Sequence, residues 1–372
     1  MIQQKDKIEL FKPYLQGKDN YQGGKSKDEV ASNGKKIYKL SSNENMLGSS
    51  PLAIAAIQKH ITGLNEYPDR TDTRYRQALS NFYNAQLQPN QFITANSGVE
   101  ILELIVRAFL NEGLECIVSN PAFGPYQMFS HKQGAKVIDI PLKGRNFDMD
   151  VEGILDAISD RTRLIFITSP NNPTGTHIPK AQIDALVNAL PEHVVLVFDE
   201  VYFQFAEAGD YVRALPYILE GHKVIAVNSF SKAYGLAGMR MGYAYSNLEI
   251  ATYVQQVRRP FMINTLCMEA AIAALQDEVF IEKTVHLIHK EKAFIYPQLD
   301  ALGVNYWKTQ ANFFMLKPEM PASQFEELML KEGIMVRPVA NFGAPGCIRV
   351  TIGTREANQA FLGALRKIIS EK

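Results

Sequence analysis

The chain has little cysteine and no excess of charge of either sign. Its 372 residues include three cysteines, Cys116, Cys267 and Cys347, which are too few and too scattered to form a disulfide framework. This usage excludes a small disulfide-rich scaffold and is typical of a reducing compartment. Thirty-nine basic and 39 acidic residues give a formal net charge of zero, so the charge excess typical of nucleic-acid-binding proteins is missing. We therefore expect small anionic molecules, and no nucleic acid, as partners.

Long hydrophobic runs are also missing. A membrane-spanning helix needs about 18 or more apolar residues in a row, and the sequence contains no such run. Residues 1–7 are mostly polar and do not begin the apolar segment of a signal peptide. We therefore expect a cytoplasmic protein without a membrane partner. His286 and His289 stand among lysines and glutamates with no third ligand at a suitable spacing, so no metal site is expected.

Short apolar runs alternate with helical stretches over the first two thirds of the chain. Such alternation predicts an α/β fold, in which a mostly parallel sheet is covered by helices on both faces. The predicted strands occupy residues 91–95, 115–119, 135–140, 163–168, 193–198, 223–228 and 241–245.

The pattern changes after about residue 246. Two long helical stretches, 265–275 and 279–302, are followed by short strands, a further helix and a closing helix. We interpret residues 46–246 as a large domain and residues 247–372 as inter-domain helices with a smaller α+β domain.

Lys232 is the most informative residue of the chain. It lies in residues 229–240, a short run that also contains two hydroxyl side chains, Ser229 and Ser231, and the guanidinium of Arg240. Hydroxyls, backbone N–H groups and an arginine are the donors that best hold a phosphate dianion beside a Schiff-base lysine. The predicted strand 223–228 leads into this run, so Lys232 falls at the carboxyl end of a strand, where open α/β sheets bind ligands. The pattern predicts a site for a phosphorylated aldehyde cofactor.

Other interpretations of Lys232 exist. Residues 229–232 also match the S-x-x-K pattern of penicillin-binding proteins, but neither the K-T-G nor the S-D-N companion motif occurs in the chain. A lysine in a polar loop is, by itself, more often solvated than catalytic. The interpretation therefore depends on companion motifs.

Two companions follow other predicted strands. Asp199 ends a valine-rich run, and a buried carboxylate there needs a fixed positive charge, which a protonated pyridine nitrogen supplies. An aspartate that caps the next segment is the alternative. Tyr202, three residues later, and Asn172, in the proline-rich turn 169–175, are placed to hydrogen-bond a phenolic oxygen on the same ring.

The ordered motifs 43–45, 67–69, 171–175, 199–202, 229–240 and 349–354 together resemble the fold-type I aminotransferases that use pyridoxal 5'-phosphate. Within them the chain looks most like the histidinol-phosphate aminotransferase branch, and the resemblance runs from about Pro13 to the last helix. It implies a large domain with a seven-stranded, mostly parallel sheet and a smaller α+β domain, to which an N-terminal arm, residues 1–45, contributes.

The resemblance also implies roles for individual residues. Lys232 would hold the cofactor covalently and move the proton, Asp199 would pair with the pyridinium, and Tyr202 with Asn172 would bind the phenolic oxygen. Further cofactor contacts are implied at Ser229, Ser231 and Arg240 for the phosphate, at the backbone of Gly98 and Val99 where a helix begins, at Phe123 for ring stacking, and at Tyr67, which would reach the site of a second subunit in a homodimer.

The chain departs from the family pattern at two loops. Met46 stands where the Asn-Glu-Asn motif normally continues with proline, and the sequence Ser97-Gly98-Val99 replaces the commoner glycine, serine and aspartate. Both changes loosen constraints on loops without removing a chemical group needed for the cofactor.

The implied substrate depends on two arginines. Arg337 and Arg349 each follow a short strand-like run, and the family directs both guanidiniums toward the substrate. One arginine suffices for a carboxylate, whereas two suit a phosphate dianion such as that of histidinol phosphate, with Tyr14 closing over it. In that case 2-oxoglutarate accepts the amino group.

Alternatives to this substrate assignment remain open. Arg337 could pair with a surface acid instead. Aromatic amino-acid aminotransferases share nearly all of these residues, and threonine-phosphate decarboxylases lie close by. A non-catalytic ligand sensor is disfavoured by the intact Lys232.

Overall fold

A computed structural model describes residues 12–15, 23–26, 28–30 and 35–370. The strands are β1 (Tyr38–Lys39), β2 (Phe92–Ala95), β3 (Glu115–Val118), β4 (Lys136–Asp139), β5 (Thr162–Thr168), β6 (Val195–Asp199), β7 (Val224–Ser229), β8 (Gly242–Tyr245), β9 (Asn305–Trp307), β10 (Phe313–Lys317), β11 (Ile334–Met335), β12 (Arg337–Pro338) and β13 (Ile348–Thr351). The α-helices are α1 (Pro51–His60), α2 (Thr73–Phe82), α3 (Gly98–Phe109), α4 (Pro125–Lys132), α5 (Val151–Asp156), α6 (Lys180–Ala189), α7 (Leu215–Leu219), α8 (Leu248–Gln255), α9 (Thr265–Ala274), α10 (Glu278–Ala301), α11 (Ala322–Lys331) and α12 (Arg355–Ser370).

The seven strands expected from the sequence form one sheet in the order β2-β8-β7-β6-β5-β3-β4. All neighbours are parallel except β8, which runs antiparallel to β2 and to β7. The prediction of a seven-stranded, mostly parallel sheet is therefore confirmed. Strand β6 runs two residues later than predicted at its start and includes Asp199, because Asp199 still pairs in register with Thr168 and Val227 on the two neighbouring strands.

The large sheet is buried on both faces. Leu196 and Phe198 of β6 join one apolar cluster, with residues of α1, α2, α6 and α9, while Val195 and Val197 join a second cluster with α3, α4 and α8. Successive side chains of a strand point to opposite faces, so a strand covered on both sides must be apolar throughout. Each fully buried Leu, Val or Phe contributes roughly 1.5–3 kcal/mol.

A smaller unit follows in sequence. Strands β12, β13, β10 and β9 form an antiparallel sheet, and α10, α11 and α12 pack with it around a separate apolar cluster. Strand β1 pairs in parallel with β11 and so joins the N-terminal part of the described chain to this unit. Helices α8 and α9, in contrast, contribute buried residues to the clusters of the large sheet. The domain boundaries at residues 45 and 246 stay predictions.

This topology gathers chemistry at one edge of the large sheet. Thr168, Asp199 and Ser229 are the last residues of three neighbouring parallel strands, β5, β6 and β7. The carboxyl ends of parallel strands meet at the same edge, where α/β folds bind ligands. Across the described residues, no helix is long and apolar enough to cross a membrane.

Gly242 allows the loop before α3 to approach the sheet. A Cβ at position 242 would overlap the backbone nitrogen of Gly98 and the carbonyl carbon of Ser97. We therefore expect Gly242→Ala to displace this loop and to lower the free energy of unfolding by about 1–3 kcal/mol, the usual effect of overpacking. Urea denaturation of the purified protein measures the change.

Gly363 provides the matched control for that substitution. It lies inside α12 with no atom within 4 Å of an added Cβ. Gly363→Ala should raise stability by about 0.5–1 kcal/mol, because alanine favours a helix interior. Equal effects of the two substitutions would contradict the proposed close approach at Gly242.

Candidate active site

A cavity of about 260 Å³ lies at the carboxyl edge of the large sheet. Residues from the N-terminal segment and from β12 and β13 complete its wall, so it is bounded by both units of the fold. The cavity brings together most of the residues that the sequence singled out, namely Gly98, Val99, Phe123, Asn172, Asp199, Tyr202, Ser229, Ser231, Lys232, Arg240, Arg337 and Arg349.

Asp199 is a buried carboxylate held in a fixed orientation. One carboxylate oxygen, Oδ1, accepts the backbone N–H of Val201 at 3.2 Å, and the other, Oδ2, accepts the hydroxyl of Tyr126 at 2.6 Å. Burial raises the pKa of Asp199 to about 6, although both hydrogen bonds act in the opposite direction. A carboxylate in this state favours a cationic partner, which suits the protonated nitrogen of a pyridine ring.

Lys232 lines the same cavity from the turn after β7. Its Nζ donates to the backbone oxygen of Ser42 at 3.4 Å and lies 5.7 Å from the centre of the Tyr202 ring. Burial lowers the pKa of Lys232 to about 8, and the positive charge of Arg349 acts in the same direction. About one tenth of the amine is then neutral at pH 7, so a nucleophilic and basic form is accessible near neutrality.

The side of the cavity around Asn172 is organised by a fixed arginine. Arg349 donates from Nη1 to Oδ1 of Asn172 at 2.6 Å and from Nη2 to the backbone oxygen of Ser41 at 2.8 Å. The first contact orients the amide, so that its N–H groups are available to another acceptor. Nearby, Tyr202 lines the cavity, and its hydroxyl accepts the amide N–H of Asn43 at 3.0 Å.

The start of α3 and the loop after β7 form a cradle for an anion. The amino end of α3, at Gly98 and Val99, lines the cavity and carries unpaired backbone N–H groups with a favourable dipole. Ser229, Ser231 and Arg240 line the same region, and Arg240 remains exposed. An alanine-sized group at Gly98 would meet the backbone oxygen of Asn228 at 3.4 Å, so the helix start packs closely on β7.

Arg337 and Arg349 are direct cross-strand partners on β12 and β13. Arg337 also donates from Nη1 to the backbone oxygen of Gly23 at 2.9 Å. Two like charges directly opposite each other on adjacent strands are destabilising unless an anion compensates them. The arrangement therefore suits a doubly charged anion at this end of the cavity.

Two predicted residues are not among those that line the cavity. The short helix Pro13–Leu15 packs on α4, and the ring of Tyr14 lies against Gly134. Gly134 follows the C-terminus of α4, whereas the cavity lies at the N-terminus of α4. The expected position of Tyr14 over the substrate is therefore not found within this chain. Tyr67 is 85% exposed and its ring lies 5.0 Å from that of Phe261, so in a single chain it contacts solvent.

Sequence reasoning missed four polar residues of the cavity. Tyr126 and Thr168 adjoin Asp199, and the backbone of Ser41 and Ser42 contacts Arg349 and Lys232. The only available signal for Tyr126 was its position three residues after Phe123, and a tyrosine in a helix carries no specific signature. The described residues contain no group of three or more His, Cys, Asp or Glu suited to a metal ion.

Comparisons with known proteins agree with this geometry. The sequence profile of the family described as Aminotransferase class I and II matches residues 35–365. Histidinol-phosphate aminotransferase 2 of Hydrogenovibrio crunogenus is 37% identical over 361 residues, which cover 96% of each chain. Histidinol-phosphate aminotransferase of Moorella thermoacetica is 36% identical, with 90% of this chain and 86% of that protein covered.

Solved structures are similar over the same length. Histidinol-phosphate aminotransferase from Sinorhizobium meliloti, in complex with pyridoxal-5'-phosphate, superposes with a TM-score of 0.85 at 26% identity, over 97% of this chain and 98% of the other. Aspartate aminotransferase from Thermus thermophilus with maleate gives a TM-score of 0.80 at 23% identity, over 90% and 92% of the two chains, and shows the fold alone.

The sheet order, the antiparallel companion sheet and these neighbours define a fold-type I aminotransferase, the class that the sequence motifs predict. The particular relationship follows from the profile match and from relatives above 30% identity along nearly the whole chain. The chain belongs to the aminotransferase class I and II family.

Ser97 holds an unusual backbone conformation beside the cavity. Its φ of 92° and ψ of 157° lie in a region that glycine adopts and other residues avoid at about 1–3 kcal/mol, while its hydroxyl caps α3 by accepting the N–H of Glu100 at 3.3 Å. Because strain outweighs the cap, we expect Ser97→Gly to stabilise the cofactor-free protein by about 1 kcal/mol in urea denaturation. Ser97→Ala keeps the strain and loses the cap, so it should destabilise by about 1 kcal/mol. A loss of stability in both variants would contradict the strain.

The lowered pKa of Lys232 gives a pH prediction. Only the neutral amine reacts with an acylating reagent, so the rate of Lys232 acetylation by dilute acetic anhydride should rise with pH and level off above about 8. Peptide mass spectrometry of the cofactor-free protein, sampled from pH 6 to pH 11, measures this rate. Arg349→Met removes a positive charge that lowers the pKa, so its midpoint should lie higher. A midpoint near the ordinary lysine value of about 10.4 in both proteins would refute the shift.

Proposed function

We propose that this chain transfers the amino group of L-histidinol phosphate to 2-oxoglutarate with pyridoxal 5'-phosphate as cofactor. The aminotransferase class is established by the family, and the named relatives are histidinol-phosphate aminotransferases over nearly the full chain. The observation that carries the substrate is the direct pairing of Arg337 with Arg349 at the cavity, because two guanidiniums match a phosphate dianion.

The residues of the cavity fit the cofactor group by group. The buried Asp199 would hold the ring nitrogen, Tyr202 and Asn172 the phenolic oxygen, and the face of Phe123 the ring. The amino end of α3 and the cradle of Ser229, Ser231 and Arg240 would hold the phosphate. When bound, pyridoxal phosphate supplies an electron-poor ring that stabilises negative charge at the substrate α-carbon.

Lys232 would move the proton. Its lowered pKa leaves part of the amine neutral near neutral pH, so Nζ can take the hydrogen of the substrate α-carbon as a general base and deliver it as an acid. The Asn172 amide is oriented by Arg349, which links the placement of the ring to the arginine that would hold the substrate anion.

The same arginines would admit both substrates in turn. A phosphate dianion and a dicarboxylate carry the same charge, and planar guanidiniums donate two parallel hydrogen bonds to either. Phe342 lies beside both arginines, with their guanidinium carbons 5.9 Å and 5.6 Å from its ring centre. The ring of Phe342 would therefore help to hold both guanidiniums in place.

A cytoplasmic homodimer is part of the proposal. Tyr67 and Phe261 are exposed and in contact with each other, Ile61 and Leu64 in the preceding stretch of chain are exposed too, and exposed apolar side chains of this kind suit contact with a second copy. Tyr67 would then reach the phosphate cradle of the neighbouring subunit. The three buried, free cysteines support a reducing compartment.

A donor panel tests the substrate. Holoenzyme is mixed with histidinol phosphate, histidine, phenylalanine or threonine phosphate, and its cofactor should convert to the amine form fastest with histidinol phosphate. Histidine and phenylalanine offer the paired arginines no phosphate, and threonine phosphate carries its phosphate on a branched carbon, whereas that of histidinol phosphate is on a CH2 group. Rapid-mixing absorbance spectroscopy measures each rate. Faster conversion by phenylalanine would assign the chain to the aromatic aminotransferases, and release of carbon dioxide from threonine phosphate would assign it to the decarboxylases.

A matched variant sharpens the panel. Arg337→Gln removes one charged hydrogen-bond donor, which is worth about 1.5–3 kcal/mol, so kcat/KM for histidinol phosphate should fall roughly 10- to 150-fold. The rate with phenylalanine, whose carboxylate needs one arginine, should change much less. An equal loss for both donors would contradict a phosphate-binding role of Arg337.

A further inference from the structure

Tyr126 contacts two residues that would hold the cofactor ring, Asp199 at its nitrogen and Phe123 at its face. It is almost fully buried in the first turn of α4, and its hydroxyl lies 2.6 Å from Oδ2 of Asp199. Its ring meets the edge of Phe123 with centres 5.7 Å apart and stacks on Phe166 at 5.1 Å with an interplanar angle of 15°. The ring is therefore held in place by packing on two sides.

The direction of the hydrogen bond follows from the groups present. An ionised carboxylate only accepts hydrogen bonds, so the single hydroxyl hydrogen of Tyr126 must be directed at Asp199. Thr168 also lies 2.7 Å from the Tyr126 oxygen, and its hydroxyl must then be the donor in that contact. The result is an ordered chain of hydrogen bonds from Thr168 through Tyr126 to Asp199.

We infer that Tyr126 is a positioning residue, which orients the Asp199 carboxylate and favours its ionised form so that it can hold the ring nitrogen of the cofactor. This inference rests on the proposed function for the identity of the cofactor. Tyr126 would act through Asp199 and would not itself bind the cofactor or the substrate. Oδ1 is fixed by the backbone of Val201 and Oδ2 by Tyr126, so the carboxylate cannot rotate. Rotation would direct a different lone pair into the cavity and misalign the ion pair.

Other charged groups also influence Asp199. Glu200 disfavours its ionised form, whereas the positive charge of Lys232 favours it, and burial is the largest influence. The titratable groups that interact with Asp199 or with Tyr126 across the packed elements are Glu200, Tyr202, Tyr211 and Lys232. Tyr126 differs from them because it makes the direct hydrogen bond.

The first test uses the cofactor-free protein. Burial raises the pKa of Asp199 from about 4 to about 6, so the folded state binds its proton more tightly and stability falls as pH rises across this window. Tyr126→Phe removes the hydrogen bond that the ionised Asp199 accepts. The folded-state pKa of Asp199, which sets the upper end of this pH window, should therefore rise by about one unit. Urea denaturation from pH 4 to pH 9 measures it.

A double-mutant cycle isolates the contact. Asp199→Asn removes the titrating group, so adding Tyr126→Phe to it should produce no further change in the pH dependence. Tyr75→Phe is the control for loss of a buried hydroxyl, since Tyr75 is fully buried in another part of the fold and its hydroxyl makes no hydrogen bond to any residue that the structure describes. An identical pH shift in the Asp199→Asn background, or in Tyr75→Phe, would overturn the inference.

The second test uses the holoenzyme. Tyr126→Phe should lower kcat by on the order of tenfold, the equivalent of one pH unit at Asp199, with KM little changed. The pH titration of the bound cofactor's visible absorbance should shift as well, which a loss of general stability would not produce. An unchanged titration with normal cofactor binding would refute the role of Tyr126 and leave the proposed function intact. Failure of the unmodified protein to bind pyridoxal phosphate would refute the function itself.

Discussion

The burial of one carboxylate governs the chemistry of this molecule. Asp199 ends a strand whose every residue is buried, between two parallel neighbours, and there it accepts hydrogen bonds but forms no ion pair with another described residue. A charge in that position is unfavourable without a nearby cation, so the buried carboxylate would favour binding of a positively charged group, which in our proposal is the protonated ring of the cofactor. The large sheet, its two apolar clusters and the closely packed α3 make that burial possible.

Its neighbour in sequence shows how far environment decides the role of a side chain. Burial alone would raise the pKa of Glu200, but the charge of Arg213 and hydrogen bonds from Asn228 and Tyr245 lower it overall. Asp199, one residue earlier on the alternate face, also accepts hydrogen bonds, but there burial outweighs them and raises the pKa. One of two adjacent carboxylates thus belongs to a structural ion pair, and the other lines the candidate active site.

Local departures from the family pattern are accommodated at the cavity without loss of its donors. Ser97 carries strain at the start of α3, yet its hydroxyl caps the helix and Gly98 still packs on β7. Met46 takes the place of the usual proline and packs against Gly353, so closely that a Cβ added at position 353 would overlap the sulfur of Met46. Sulfur-containing side chains adapt to irregular spaces, so the loop keeps its packing where proline rigidity is absent.

Much of the architecture could be predicted because it depends on local patterns. Apolar runs without a helical period gave all seven strands of the large sheet, and strand-end positions identified Asp199, Lys232 and Asn172 as companions, since parallel strands end at one edge. Tyr126, the register of Arg337 with Arg349, the position of Tyr14 and the direction of the pKa shifts were decided only by the tertiary structure. Those properties depend on distances between segments far apart in the chain and on how much water is excluded between them, and no local pattern of residues records either quantity.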